Sequence, residues 1–97
     1  MFAVRQTVFF SDWLLNLRDV RAQARIAQRI QRLAHGNFGD TKSVGERVSE
    51  LRITYGPGYR VYFTRRGEVV VVLLWGGDKS TQARDIEKAK ALEKELI

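Results

Sequence analysis

The chain has 97 residues, of which 44% are hydrophobic, and no cysteine; this suits one globular domain over residues 1–97 and excludes a disulfide framework. It contains no apolar run near the ~20 residues that span a bilayer, and its N-terminus lacks a signal peptide's apolar centre, so we expect a cytoplasmic protein that does not bind membranes. The net charge is +6 and twelve of the 17 basic residues are arginine, which favours a phosphate-bearing partner, although an acidic protein partner is also consistent with it.

The first third of the chain predicts a strand followed by two helices. Residues 3–10 alternate in the manner of a half-buried strand. Ser11 is expected to cap a short helix, and Asp19 a longer one over residues 20–34, because the side-chain oxygen of each can accept a hydrogen bond from the helix start. Gly36 is suited to ending that second helix.

The rest of the chain predicts three strands and a last helix. Residues 35–45 are rich in glycine and are expected to form a loop. Three antiparallel strands with short connections are then predicted, over residues 46–53, 59–65 and 68–75. The glycines of segments 56–58 and 76–77 are expected to serve turns. Asp78 or Ser80 is expected to cap a helix that runs to about residue 95, which gives the order β-α-α-β-β-β-α.

Three cations are predicted to lie near one edge of the sheet. Strand alternation points Arg52 and Arg60 away from their apolar neighbours, so both can project from the same side. Lys79 follows the last strand and precedes a helix start, where backbone N–H groups favour anions. Guanidinium groups held on a rigid sheet suit phosphate recognition.

Each of these cations also has an ordinary interpretation. Arg60 can pair with Glu50 across the strands, and Lys79 can be a loop lysine. Arg52 can form a structural salt bridge with Glu50 or Asp78.

Further residues are candidates for contact with a nucleic acid, namely Lys42, Arg47, Tyr55, Tyr62 and Arg65. The cations would contact the phosphate backbone, and the tyrosines would stack on a base or donate a hydrogen bond. A solvated cation or a packing aromatic is the alternative for each. His35 is the only histidine and is expected to be an exposed loop residue, so no zinc site, other metal site or small-molecule cofactor is expected.

An ordered set of segments resembles the RelE/ParE toxin superfamily, and within it the addiction-module killer proteins related to HigB toxins. The segments are 10–14 (FSDWL), 35–40 (HGNFGD), 42–45 (KSVG), 48–53 (VSELRI), 56–63 (GPGYRVYF) and 76–82 (GGDKSTQ). The resemblance implies an α+β fold with a mostly antiparallel four-stranded sheet packed against two N-terminal helices and a C-terminal helix. It also implies a cognate helix-turn-helix antitoxin as partner.

The resemblance implies growth inhibition, most often by cutting mRNA on the ribosome as a metal-independent endoribonuclease. Arg60 matches the arginine of the family's Tyr-Arg-Val strand and is implied to clamp the scissile phosphate. Lys79 is then a second cation or a perturbed acid or base, and Arg52 contacts the same phosphate or a neighbouring one. Two alternatives remain: inhibition of DNA gyrase, as in the ParE branch, and a non-catalytic module that docks to an antitoxin or a nucleic acid. Some members use histidine and aspartate, which this chain does not supply as a set.

Overall fold

The chain folds into one sheet with helices on both faces, as seen in a computed structural model that describes residues 1–96. The strands are β1 (Ala3–Gln6), β2 (Thr41–Gly45), β3 (Val48–Ile53), β4 (Tyr59–Arg66) and β5 (Val70–Asp78). The helices are α1 (Val8–Leu15), α2 (Val20–Ala34) and α3 (Gln82–Glu95), and a single 3-10 turn, Lys79–Thr81, joins β5 to α3. No helix within residues 1–96 combines the length and the apolar character needed to cross a membrane.

The sheet has five strands in the order β1-β5-β4-β3-β2. β1 runs parallel to β5, and the other neighbouring pairs are antiparallel. The predicted α+β class is confirmed, but the sheet has one strand more than expected. The additional strand is β2, in a segment that was expected to be loop. Gly39 (φ 62°) and Gly45 (φ 94°) lie at or just beyond its two ends, so the glycines that suggested a loop mark the boundaries of a strand.

The first strand is shorter than predicted. It ends at Gln6, and Thr7 caps α1 by accepting a hydrogen bond from the Phe10 backbone N–H at 3.1 Å. The Thr7 hydroxyl also donates to the Leu74 carbonyl at 2.7 Å, which attaches this cap to β5. The prediction that Ser11 caps the helix is therefore wrong. The apolar residues 8–10 belong to α1 and not to the predicted strand. A short apolar run fits a strand as well as a helix, so the sequence does not show where the strand ends.

The predicted Asp19 cap is confirmed, whereas the predicted cap of the last helix is wrong, because α3 begins after Thr81 without a side-chain cap and Asp78 caps the preceding 3-10 turn. The Asp19 carboxylate accepts hydrogen bonds from the N–H groups of Arg21 and Ala22 at 2.9 and 3.2 Å, and so begins α2. Asp78 begins the 3-10 turn by accepting from the Ser80 N–H at 2.8 Å. Each of these aspartates thus caps the start of a helical segment.

The core is divided between the two faces of the sheet. On the face covered by α1 and α2, the buried side chains include Phe10, Ile26, Leu33, Leu51, Val61 and Phe63. On the face covered by α3, they are Val48, Tyr62, Leu74 and Ala89. Burial of apolar surface on both sides stabilises the sheet at roughly 25 cal/mol per Å².

Two glycines allow α1 and α3 to approach β5 from opposite sides. A Cβ at Gly76 would overlap with the ring of Trp13 on α1. A Cβ at Gly77 would overlap with the carboxylate of Asp85 on α3. The prediction that this pair serves a turn is wrong, because both residues belong to β5. They allow this part of β5 to lie close to both helices.

Candidate functional site

A cleft at the ends of β3 and β4 brings together the three cations that the sequence indicated. It encloses about 450 Å³ and is lined by Arg52, Arg60, Lys79, Asp40 and the loop 56–58. Arg52 and Arg60 stand directly opposite each other in the β3–β4 ladder and therefore project from the same face of the sheet. That face is the one covered by α3.

The guanidinium of Arg60 is held by groups on two sides. Nη1 donates to the Gly58 carbonyl at 3.0 Å, and Nε lies 3.7 Å from Oε1 of Glu50. The side chain is only 12% exposed, and its buried Nε has no hydrogen-bond partner within residues 1–96. The predicted alternative, pairing with Glu50, is therefore present, and this pairing fixes Arg60 at the wall of the cleft.

Glu50 is the buried centre of a small polar network. Its Oε2 accepts hydrogen bonds from Gln82 Nε2 at 2.8 Å and from the Tyr62 hydroxyl at 3.2 Å. Burial, and then the negative charge of Glu50, raise the pKa of the Tyr62 phenol well above its usual value. The sequence did not indicate Gln82, because an uncharged side chain at a helix start carries no signal of a distant carboxylate.

Arg52 is paired with a carboxylate that the sequence did not indicate. Its Nη2 donates to Oδ1 of Asp40 at 3.0 Å, and both side chains are partly exposed. The predicted partners Glu50 and Asp78 are engaged elsewhere, by Arg60 and by the Ser80 N–H. Because the pair is exposed, it contributes little stability, and an anionic ligand can compete for the guanidinium.

Lys79 is the cation of the cleft that has no anionic partner. It is exposed at the start of the 3-10 turn and forms no ion pair with any of residues 1–96. A Cβ at Gly58 would lie 3.6 Å from the Lys79 Cβ and 3.3 Å from Arg60 Nη1, so this backbone position lies close to both side chains, and its φ of 80° favours glycine. The loop thus holds the lysine and the arginine on either side of one backbone position.

Comparison with known proteins identifies the family. Residues 12–96 match the sequence model of a family described as "Phage derived protein Gp49-like (DUF891)", and this span contains every residue of the cleft. The chain belongs to the Gp49-like family. A protein of Haemophilus influenzae, described as an uncharacterized protein, is 53% identical over 93 residues, which cover 96% of this chain and 94% of that protein.

Gp49-like proteins are a phage-derived family of RelE-like toxins of type II toxin–antitoxin systems. The resemblance to the RelE/ParE superfamily is therefore confirmed at this level, and an antitoxin partner goes with membership. Assignment to the HigB-like group remains a prediction.

The remaining basic residues lie at different distances from the cleft. Lys42 of β2 stands opposite Glu50, so it is exposed on the same face as the cleft. Arg47 is in the β2–β3 turn, five residues from Arg52, or roughly 17 Å at ~3.3 Å per residue. Arg65 is placed on the other face, with its guanidinium 4.9 Å from the centre of the Phe2 ring. Their contacts with RNA stay predictions.

The two tyrosines differ from what was expected. Tyr62 shares the face of Arg60, as predicted, but it is fully buried and cannot stack on a base, so that prediction is wrong. Tyr55 is on the opposite face, where Arg25 lies over its ring at 4.5 Å. His35 is exposed at the end of α2, as expected.

The arrangement in this Gp49-like chain is suited to binding an anionic group. Three cations converge on one open cleft, whose lining residues include a single carboxylate, that of Asp40. Arg60 is preorganised by buried contacts, whereas Lys79 is exposed and forms no ion pair with a described residue. Cations that converge on one position stabilise negative charge that develops on a bound group.

Proposed function

We propose that the chain is a metal-independent endoribonuclease toxin that needs no cofactor, cuts mRNA on the ribosome in the cytoplasm, and is neutralised by a helix-turn-helix antitoxin. The observation that carries this proposal is the convergence of Arg52, Arg60 and Lys79 on one cleft of a RelE-like toxin. A phosphodiester is the substrate group whose charge and size fit this set.

In the proposed reaction, the 2′-hydroxyl of one nucleotide loses its proton to the surroundings and its oxygen bonds to the adjacent phosphorus. The bond from phosphorus to the 5′-oxygen of the next nucleotide breaks, and that oxygen takes up a proton. The products are a 2′,3′-cyclic phosphate and a 5′-hydroxyl. Negative charge on the phosphoryl oxygens increases on the way, so positioned cations lower the barrier.

The three cations divide this task according to how they are held. Arg60 is fixed by Gly58 and Glu50, and clamps the scissile phosphate. Lys79 supplies a second charge without a competing carboxylate. Arg52 leaves Asp40 to contact the same phosphate or its neighbour.

The ribosome completes the site in this proposal. The lining residues of the cleft include no histidine, the side chain that most often transfers protons near neutral pH. Alignment of the attacking hydroxyl with the phosphorus must therefore supply much of the rate, and mRNA held on the ribosome provides that alignment. Free RNA should be a poor substrate.

The test is brief expression in cells that lack the antitoxin, followed by mapping of transcript 5′ ends. We expect new ends within translated regions and in codon register. They should be lost with Arg60→Ala or Lys79→Ala and kept with Arg5→Ala, which removes a charge from β1 at the opposite edge of the sheet. Growth arrest without new ends would overturn the proposal and indicate gyrase inhibition or a binding role.

A further inference from the structure

A second cationic cleft lies on the other face of the sheet, between α2 and the end of β3. It encloses about 240 Å³ and is lined by three arginines of α2, Arg25, Arg29 and Arg32, which face the segment 53–55. Their spacing of four and three residues puts them on one stripe of the helix. None of the lining residues is a carboxylate.

The three arginines are positioned without acidic partners. Arg25 stacks over the ring of Tyr55, and Arg29 Nη1 donates to the Arg52 carbonyl at 3.1 Å. Arg29 Nη2 is buried and has no hydrogen-bond partner within residues 1–96. Arg32 is exposed, and none of the three forms an ion pair with a described residue. Guanidinium groups held together without carboxylates attract a polyanion.

The two clefts meet at one residue. Thr54, exposed just after β3 ends, lines both of them. Arg52 connects them as well, since its side chain lies in the first cleft and its carbonyl is bound by Arg29 of the second. A chain that carries a negative charge at every unit can therefore contact both sets of cations around Thr54.

We propose that the second cleft binds the phosphates of the RNA strand that flank the phosphate held by Arg60. The choice of RNA rests on the proposed function. An acidic peptide would also suit arginines, but continuity with the first cleft favours a ligand with regularly repeated phosphates. These contacts supply affinity without reading sequence.

The first test compares Thr54→Glu with Thr54→Gln, which differ by one negative charge at the junction. The probe is a short single-stranded RNA methylated at every 2′-hydroxyl, so that binding is measured without cleavage. Thr54→Glu should bind this RNA roughly tenfold or more weakly than Thr54→Gln, because only the glutamate repels the phosphates. Equal affinities of the two variants would overturn the inference.

The second test measures the salt dependence of binding of the same RNA. Arg25→Gln and Arg32→Gln should each reduce the slope of log K against log salt by roughly 0.7, whereas the control Arg5→Gln should leave it unchanged. Unchanged slopes in both cleft variants would overturn the inference, as would weakened binding of polyglutamate with unaltered binding of RNA. If the slopes fall as expected but ribosome-bound mRNA stays intact, the proposed cleavage fails while the RNA site stands.

Discussion

Gln82, the first residue of α3, donates a 2.8 Å hydrogen bond to the buried carboxylate of Glu50. The same carboxylate lies 3.7 Å from Nε of Arg60, so the start of the helix and the cleft arginine are connected through one side chain. The fold therefore contributes to the site in two ways: the strands bring the cations together, and α3 fixes the orientation of one of them.

Replacing Gln82 by methionine removes this donor at nearly constant side-chain length. Glu50 then loses one of its hydrogen bonds, and we expect a loss of roughly 1–3 kcal/mol in the free energy of unfolding. Cleavage should slow through kcat more than through KM, because Arg60 is still present but less well oriented. Urea unfolding and single-turnover cleavage measure the two effects.

The control is Gln31→Met, on the exposed side of α2, whose free energy of unfolding should stay within about 0.5 kcal/mol of the wild-type value. Equal behaviour of the two variants would contradict the connection.

The free energy of unfolding at alkaline pH should depend on the buried phenol of Tyr62. Burial and the Glu50 charge raise its pKa in the folded chain, whereas in the unfolded chain it ionises near pH 10. The unfolded state therefore releases a proton first. The stabilising contribution is complete below about pH 10 and is lost as the pH rises further.

Unfolding by urea at several alkaline pH values measures this effect, and the free energy of unfolding should decline less steeply with pH for Tyr62→Phe than for the wild type. A residual slope is expected, because burial also raises the pKa of Tyr59. Parallel declines in the two proteins would exclude this role of Tyr62.

A methyl group at Gly76 or Gly77 should destabilise the fold. Gly76→Ala would drive Cβ into the ring of Trp13, and Gly77→Ala into the carboxylate of Asp85. Overpacking of this kind costs roughly 1–3 kcal/mol, and the melting temperature should fall accordingly. Gly67→Ala is the control, because it introduces backbone strain without overpacking: Gly67 has a φ of 65° but no atom near its Cβ position. A smaller loss is expected there, and wild-type melting of Gly76→Ala would contradict the packing described.

Arg47→Gly should stabilise the β2–β3 turn. Glu46 and Arg47 both have positive φ, at 52° and 68°, in a two-residue turn of the type that favours glycine. Relief of the left-handed conformation should raise the free energy of unfolding by roughly 1 kcal/mol. Glu46 is best kept, because its carboxylate binds Lys94 at 2.8 Å and attaches the turn to α3. Chemical denaturation measures the gain, and a loss of stability would show that the Arg47 side chain is needed in the turn.

The sequence predicted those parts of the site that depend on strand alternation. Arg52 and Arg60 were placed on one face because alternation within a strand is local, and the β3–β4 ladder confirms that they stand opposite each other. Lys79 was predicted to lie near them because it follows the next strand of the sheet. The β4–β5 ladder agrees with this position, since Asp78, the residue before Lys79, stands opposite Tyr59.

The features that sequence analysis missed depend on contacts between distant segments. Asp40 and Gln82 meet Arg52 and Glu50 only after the chain has folded, and neither residue type is unusual at its position. β2 escaped prediction for a related reason, since a short, mostly exposed edge strand between glycines gains its hydrogen bonds from β3 and not from its own pattern. Because β2 was not predicted, the position of Asp40, which directly precedes it, was not predicted either.

The most direct test of the central claim is the chemistry of the cut ends in a purified ribosome system programmed with a defined mRNA. Attack by the 2′-hydroxyl predicts a 2′,3′-cyclic phosphate and a 5′-hydroxyl, a rate lower by roughly 100-fold or more in Arg60→Ala, and no cut where the scissile nucleotide lacks its 2′-hydroxyl. Intact mRNA under these conditions, or fragments that carry a 5′-phosphate and are formed equally well by Arg60→Ala, would contradict cleavage by the cationic cleft.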